Sequence, residues 1–258
     1  MDEREILRIE SVCLRSECLL EGSSFSLTLA EGENVVIFGP EDSGVNSLCP
    51  IIARLEDEFE GEVFFKGRSI ESYDYFEAHK YRTALGYLQK NYGLINNMSV
   101  EENIQLPLRY HSKLTVSEIN EKADSLIREL NLTHCRTDRP VALSAAETLR
   151  TAYARAIALD PALMLVEHSL AGQCLLNAQT FMNHLKFWAA QKHRATIIVT
   201  FDPERFVDFS NRFIMLYRGG AVFSGTRDEF LEADNEYLLQ YRLSSHDGLF
   251  FFKQKTAY

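Results

Sequence analysis

Nine residues near the N-terminus have the types and spacing to handle phosphate. Gly39-Pro40-Glu41-Asp42-Ser43-Gly44-Val45-Asn46-Ser47 lies between a short apolar run, Val35–Phe38, and a helical pattern. Strand, glycine-bracketed loop and helix are the layout of a phosphate-binding loop. Such a loop needs glycines so that backbone N–H groups can surround the anion. It also needs a lysine to reach the β- and γ-phosphates and a Ser or Thr hydroxyl for Mg²⁺. Gly39 and Gly44 are correctly separated, but Val45 stands at the lysine position and Asn46 at the hydroxyl position. Glu41 and Asp42 place two negative charges beside a site for a polyanion. Read alone, the segment is equally an ordinary strand–turn–helix. Further on, His168 is a residue type that titrates near neutrality and can serve as a base.

Composition sets the frame. The chain has 258 residues, 46% apolar and 25% charged, with a formal net charge of −10. That length suits one large α/β domain with an attached lobe. The acidic balance disfavours nucleic acid and anionic lipid as whole-surface partners. Five cysteines, Cys13, Cys18, Cys49, Cys135 and Cys174, show neither CxxC spacing nor an even count. Neither a disulfide frame nor a zinc site is expected from them, and a reducing cytoplasm fits best. His111, His134 and His184 show no ligand spacing. Met1–Glu5 is charged and lacks the apolar core of a signal peptide. No apolar run approaches the roughly 20 residues of a spanning helix, so any membrane work is expected through another chain.

Elements that could position the loop follow from periodicity. Ile6–Val12 and Phe25–Leu29 alternate like half-buried strands, and Gly61–Lys66 reads as another. Leu48–Leu55 reads as the helix after the loop. Helical periodicity then fills Ser99–Tyr110, with Pro107 expected to interrupt it, Thr115–Leu130, capped at Thr115 or Ser117, and Ser144–Leu159, capped at Ser144. This strandless stretch, about residues 95–160, suggests a helical lobe inserted in an α/β core. Leu163–Val166 and Ala195–Thr200 resume the buried strands, with the helix Leu175–Lys192 between them and Trp188 in its core face. Arg212–Tyr217 and Ala221–Ser224 flank Gly219-Gly220 as a hairpin, and Thr226–Leu239 reads as a last helix. Alternation of this kind implies a mainly parallel sheet with ligands at its strand ends. One domain over 1–245 is expected. The acidic run Glu56-Asp57-Glu58 reads as a solvated face. Residues 249–258 fit neither period and resemble a translated sequencing-adaptor peptide rather than a natural terminus.

The order of landmarks narrows the reading. Leu85-Gly86-Tyr87-Leu88-Gln89 precedes Gly93–Leu108; Leu143-Ser144-Ala145-Ala146-Glu147 precedes Ala154–Pro161. Then come Leu163-Met164-Leu165-Val166-Glu167-His168, Gly172-Gln173, Thr196–Asp202 and Ser224-Gly225-Thr226. In this order and spacing, residues 5–240 resemble the ATP-binding cassette of ABC transporters, a P-loop NTPase fold with an antiparallel β subdomain and a helical lobe. Gly93–Leu108 and Gly172-Gln173 are most similar to Mce/Mla-type lipid-trafficking subunits. The resemblance implies ATP and Mg²⁺ as cofactors, a transmembrane permease and a second cassette as partners, and a peripheral place on the inner face of the cytoplasmic membrane.

It also assigns roles, and this sequence departs from most of them. Gly39, Pro40, Ser43, Gly44, Val45, Asn46 and Ser47 take the phosphate-loop positions. Asn46 and Glu167 take the Mg²⁺ positions, and His168 that of the catalytic glutamate. A one-residue shift would instead make Glu167 the catalytic carboxylate and put Val166 at the metal. Phe201, before Asp202, takes the place of the switch histidine. Gln89 and Lys90 compete for the glutamine that senses the nucleotide. Ser144 keeps the serine of Leu-Ser-Gly-Gly-Gln, the motif that caps the partner's ATP, while Ala145, Ala146 and Glu147 replace the rest. The adenine-stacking aromatic falls near Arg15 or Ser16, and the aspartate after Gly172-Gln173 falls on Cys174.

A positioned base contributes roughly 10²–10⁴ in rate and one electrostatic donor roughly 10²–10³. Losing two such terms takes a rate of about 10 s⁻¹ to roughly 10⁻³ s⁻¹ or below. A non-hydrolysing cassette subunit is therefore expected. An atypical ATPase using Glu167 and His168, and a soluble regulator derived from the family, are the rival readings.

Overall fold

A computed structural model describes residues 5–14, 23–56, 59–191, 193–232 and 234–247. The segments expected around Arg15, Ser16 and Cys18, most of the acidic run at 56–58, and 249–258 lie outside the described residues.

Two sheets meet over the phosphate-loop segment. The smaller is antiparallel, in order β2-β1-β4-β5, from β1 (Glu5–Val12), β2 (Phe25–Ala30), β4 (Glu62–Phe65) and β5 (Arg68–Ser69). The larger has order β10-β9-β3-β8-β7-β6, from β3 (Asn34–Phe38), β6 (Leu85–Leu88), β7 (Leu163–Glu167), β8 (Ala195–Thr200), β9 (Arg212–Tyr217) and β10 (Gly220–Thr226). All its pairings are parallel except the β9–β10 hairpin. Continuous apolar runs mark the central strands because both faces are covered. Along β3, Val36 and Phe38 enter one core while Val35 and Ile37 enter the other. The first core joins the sheet to the helical lobe, and the second joins it to the antiparallel subdomain and α1 (Val45–Ile52).

The lobe contains α3 (Val100–His111), α4 (Val116–Glu129) and α5 (Ala145–Ile157). Each begins in a reciprocal capping box, Ser99 with Glu102, Thr115 with Glu118 and Ser144 with Glu147. Each box satisfies two N-terminal N–H groups that would otherwise lack partners. The remaining helices are α2 (Tyr75–Thr83), α6 (Leu175–Ala189), α7 (Arg227–Glu232) and α8 (Glu236–Asp247).

Four expectations need correction. Helix α1 starts at Val45 and ends at Ile52, so Leu55 lies beyond it, 60% exposed. The left-handed Gly44 launches the helix at once, and a left-handed Arg54 follows its end. Helix α3 runs through Pro107. The lost backbone bond is offset by Ile104 and Leu108, which are fully buried on either side of it. The last helix is two helices, because Asn235 accepts from the backbone N–H of Tyr237 and Leu238 and restarts the chain as α8. Helix α2 was not expected at all; its only sequence signal is the Asp74–Glu77 capping box.

Candidate functional site

The phosphate-loop segment leaves β3 and passes through a 3₁₀ turn, Glu41–Ser43, into α1. Its two glycines have structural reasons to be glycine. A methyl on Gly39 would lie 2.2 Å from the Leu216 carbonyl oxygen on β9. Gly44 has φ +88°, a left-handed conformation that costs a residue with a Cβ. Two of the loop's N–H groups find partners within the loop. The Ser43 N–H donates to the Pro40 carbonyl at 3.0 Å, and the Val45 N–H donates to Ser43 Oγ at 3.3 Å. Ser47 Oγ donates to the Gly44 carbonyl at 2.8 Å. Val45 is fully buried in the core beneath the loop, whereas Glu41 and Asp42 are exposed. The segment thus has a phosphate loop's path without its cationic arm.

Across from it, β7 delivers Glu167 and His168 and β8 delivers Phe201 and Asp202. His168 Nε2 is 2.8 Å from Asn46 Oδ1. With the ring neutral, Nε2–H is the donor and the amide oxygen the acceptor. The ring of Phe201 covers the same imidazole at 4.0 Å between centroids. Burial, helped by the nearby Lys90 ammonium, pushes the His168 pKa down to about 4. The imidazole is therefore neutral at pH 7, with its Nε2 proton committed to Asn46. Glu167 Oε2 accepts from the Tyr87 hydroxyl at 2.7 Å and from the Lys90 N–H at 3.4 Å. Burial first, then Cys49 and the Glu167 bond, raise the Tyr87 pKa, so the phenol stays protonated as donor.

The structure also separates Gln89 from Lys90. Gln89 turns toward Gly93, where an added methyl would meet its Oε1 at 2.7 Å. Lys90 points over Phe201, its Nζ 5.9 Å from the ring centroid. Lys90 is thus the side chain of the two that lies beside His168.

Three further ties hold these pieces together. Tyr241 of α8 donates to the Phe201 carbonyl at 2.7 Å and approaches the Gly39 carbonyl at 3.5 Å. Arg205 pairs with Asp202 at 2.5 Å and reaches the Gln173 carbonyl at 3.2 Å. Gln173 donates to the Ala145 carbonyl at 3.0 Å and to the Tyr92 hydroxyl at 3.1 Å, linking the loop after β7 to the start of α5. Sequence reasoning missed the parts played by Tyr241, Arg205 and Tyr87, because their contacts to Phe201, Gln173 and Glu167 span 32 to 80 positions.

Ser144 stands apart from this group, at the start of α5. Its N–H and Oγ both donate to Glu147 Oε2, at 2.8 and 2.7 Å. His134 pairs with the other carboxylate oxygen at 2.6 Å. The His134 bond, followed by those from Ser144, lowers the Glu147 pKa to about 2, so the carboxylate is charged. The serine hydroxyl is thereby engaged within its own helix cap.

A parallel sheet with a strand–loop–helix at its centre and an inserted helical lobe defines the P-loop ATPase class of folds. The family model for the ABC transporter matches residues 23–169. The chain belongs to that family. It is 28% identical over 217 residues to the molybdate/tungstate import ATP-binding protein WtpC of Thermococcus kodakarensis, covering 84% of this chain and 64% of that protein. It is 29% identical over 212 residues to the phosphonates import ATP-binding protein PhnC of Treponema denticola, covering 80% and 83%. The chain thus spans less than two thirds of WtpC. Among solved structures, the dimeric post-hydrolysis cassette MJ0796 bound to ADP and Pi matches with a TM-score of 0.77 at 24% identity, over 86% of this chain and 99% of that one. A nucleotide-free ATP-binding cassette from an ABC transporter matches at 0.76 and 19%, over 92% and 98%.

The family binds ATP and Mg²⁺, and the residues at its positions here fit that pair poorly. Val45 supplies no charge, the Asn46 oxygen is held by His168, and Glu167 is held by Tyr87 and the Lys90 N–H. No helix among the described residues is long and apolar enough to cross a membrane.

Proposed function

We propose that this chain is the cassette subunit of an ABC transporter whose own nucleotide site does not hydrolyse ATP. It docks on a transmembrane permease through the helical lobe and pairs with a second cassette, a copy of itself or an intact one. The observation that carries this reading is the Asn46–His168 bond at 2.8 Å. It joins the position of the metal hydroxyl to that of the catalytic base, and it ties the Asn46 amide oxygen to the Nε2 proton of His168.

Docking is supported by a groove of about 530 Å³ between the lobe and the sheet edge. Tyr110, Pro107 and His111 of α3, His79 and Arg82 of α2 and Arg155 of α5 line it. Arg155 also donates to the Tyr92 and Gly93 carbonyls at 2.7 Å, holding the segment before α3 in place. ATP binding, on this reading, is weak or lost. The cargo is read by the other subunits. Likeness of Gly93–Leu108 to Mce/Mla systems supports a lipid, while the relatives named for molybdate/tungstate and phosphonates support an oxyanion.

The test pairs two measurements. Purified chain should show no ATP turnover, and its permease should still co-purify with it. Rewriting Asn97–Glu102 should release the permease; unchanged co-purification sinks the docking claim. A second reading, an atypical ATPase, has one observation in its favour: Glu167 ends β7 with a carboxylate fixed by Tyr87. Turnover that disappears in Glu167→Gln would establish it.

A further inference from the structure

The turn after α4 and the first turn of α5 bring three different metal-ligand types together. His134 and Cys135 lie in a 3₁₀ turn, Thr133–Cys135, and Glu147 is the third residue of α5. One nitrogen, one sulfur and one carboxylate oxygen from these residues all lie within 4.8 Å of one another. Cys135 is 3% exposed, with its thiol donating to the Leu132 carbonyl at 3.4 Å. His134 closes the outer side, its ring nitrogen 2.6 Å from Glu147 Oε1.

We propose that His134 Nε2, Cys135 Sγ and Glu147 Oε1 form a site for a divalent transition metal, with Zn²⁺ the ion best suited to the donor set. A tetrahedral ion with bonds of about 2.0 Å to N and O and about 2.3 Å to S needs ligand atoms about 3.3–3.6 Å apart. The cluster brackets that spacing, so closure around an ion requires movements of the order of an ångström. The mixed imidazole, thiolate and carboxylate set favours zinc over magnesium or calcium.

Orientation is already arranged. Ser144 holds Glu147 Oε2 with two hydrogen bonds, which leaves Oε1 to face His134. That is an outer-shell contact of the kind that orients a ligating carboxylate. Metal and helix cap therefore use different oxygens and are compatible. Charge also balances: one thiolate and one carboxylate neutralise a dication; as the ion binds, the thiol proton leaves to solvent and the His134 Nε2 proton, now donated to Glu147, moves to Nδ1 or to solvent. Asp138 and Arg150 are the other charged groups acting on Cys135, with opposite signs. Protein supplies three ligands, so water takes the fourth position. A bound ion would clamp the turn after α4 onto the start of α5, at the motif that the family presents to its partner cassette. This assignment is independent of whether the nucleotide site works.

Cobalt makes the site visible. The full chain, reduced and freed of metal, is titrated with Co²⁺ and then Zn²⁺ while its absorbance is followed. One equivalent of Co²⁺ should produce a thiolate-to-cobalt charge-transfer band that Zn²⁺ displaces. The band should vanish in Cys135→Ser. His134 is exposed, so His134→Asn should fold normally and weaken Co²⁺ binding by about tenfold or more, as should Glu147→Gln. Absence of the band at one equivalent overturns the proposal. So does a band that survives Cys135→Ser, is unmoved by His134→Asn, or disappears with Cys13→Ser or Cys174→Ser.

Discussion

The loop between β3 and α1 and the helical lobe over α3–α5 have fared differently under one sequence. In the lobe, three helices in succession keep full capping boxes and fully buried apolar faces. In the loop, the backbone itself calls for Gly39 against β9 and for the left-handed Gly44. Val45 and Asn46, beside them, carry neither the positive charge nor the hydroxyl that a nucleotide would use. The two regions differ because packing constrains the lobe whether or not ATP is present. A cationic arm or a metal hydroxyl is constrained only by its ligand. Glu147 belongs to both worlds: at the motif position it brings a negative charge, yet it completes the cap of α5.

The contrast can be broken most decisively by turnover. Isolated protein should hydrolyse ATP at least about 10²–10⁴-fold more slowly than a cassette with an intact base. Restoring Val45→Lys, Asn46→Thr and His168→Glu together should raise turnover, while any one alone leaves it at background. Activity in the unaltered chain that needs Glu167 would erase the distinction between the two regions.

A truncation in the lobe should outweigh the loss of the Asn46 side chain in the loop. Ile104→Ala, at a fully buried site, should cost about 2–5 kcal/mol in urea unfolding. Asn46→Ala, which leaves the His168 donor buried without its acceptor, should cost about 1–3 kcal/mol. Equal costs would mean that the loop is as tightly constrained as the lobe.

The pH dependence tests the interior of the site. His168 titrates near 6.5 in the unfolded chain and about 4 in the folded one. Between those values the unfolded state holds the extra proton, so stability should fall as pH drops through that window. His168→Gln should remove that part of the slope. An imidazole NMR titration of His168 centred near 6.5 would refute the buried, neutral assignment.

The smallest effect expected is at the caps. Ser144→Ala and Ser99→Ala should each cost about 1 kcal/mol, because each deletes an acceptor for a helix N–H. A far larger loss at Ser144 alone would give that serine a role beyond its cap.

Much of this was legible in the residues. Apolar runs of the length of Val35–Phe38, Leu163–Val166 and Ala195–Thr200 announce strands covered on both faces, and the structure has them at the sheet centre. Ser99, Thr115 and Ser144 announce helix starts three residues before a glutamate. Helix α2 escaped because its apolar face is slight: among its nine residues only Ala78 and Tyr81 are buried. Pro107 misled because proline is costly in isolation, and the burial of its neighbours was not visible in one dimension. His134 shows no ligand spacing because its companion Glu147 is 13 positions away, across a turn that only folding closes.

By itself the sequence determined which side chains the loop between β3 and α1 can offer, because the identity of a side chain is not negotiable: valine cannot carry charge to a phosphate. It also determined the strands and capped helices, whose signals are local. Tertiary structure alone decided what the substituted residues do instead. It seats His168 on Asn46 under Phe201, turns Lys90 rather than Gln89 toward them, and gathers His134, Cys135 and Glu147 at one helix end. Those pairings join residues up to 122 positions apart. No local pattern encodes them, because they are fixed by where the sheet order brings the strand ends.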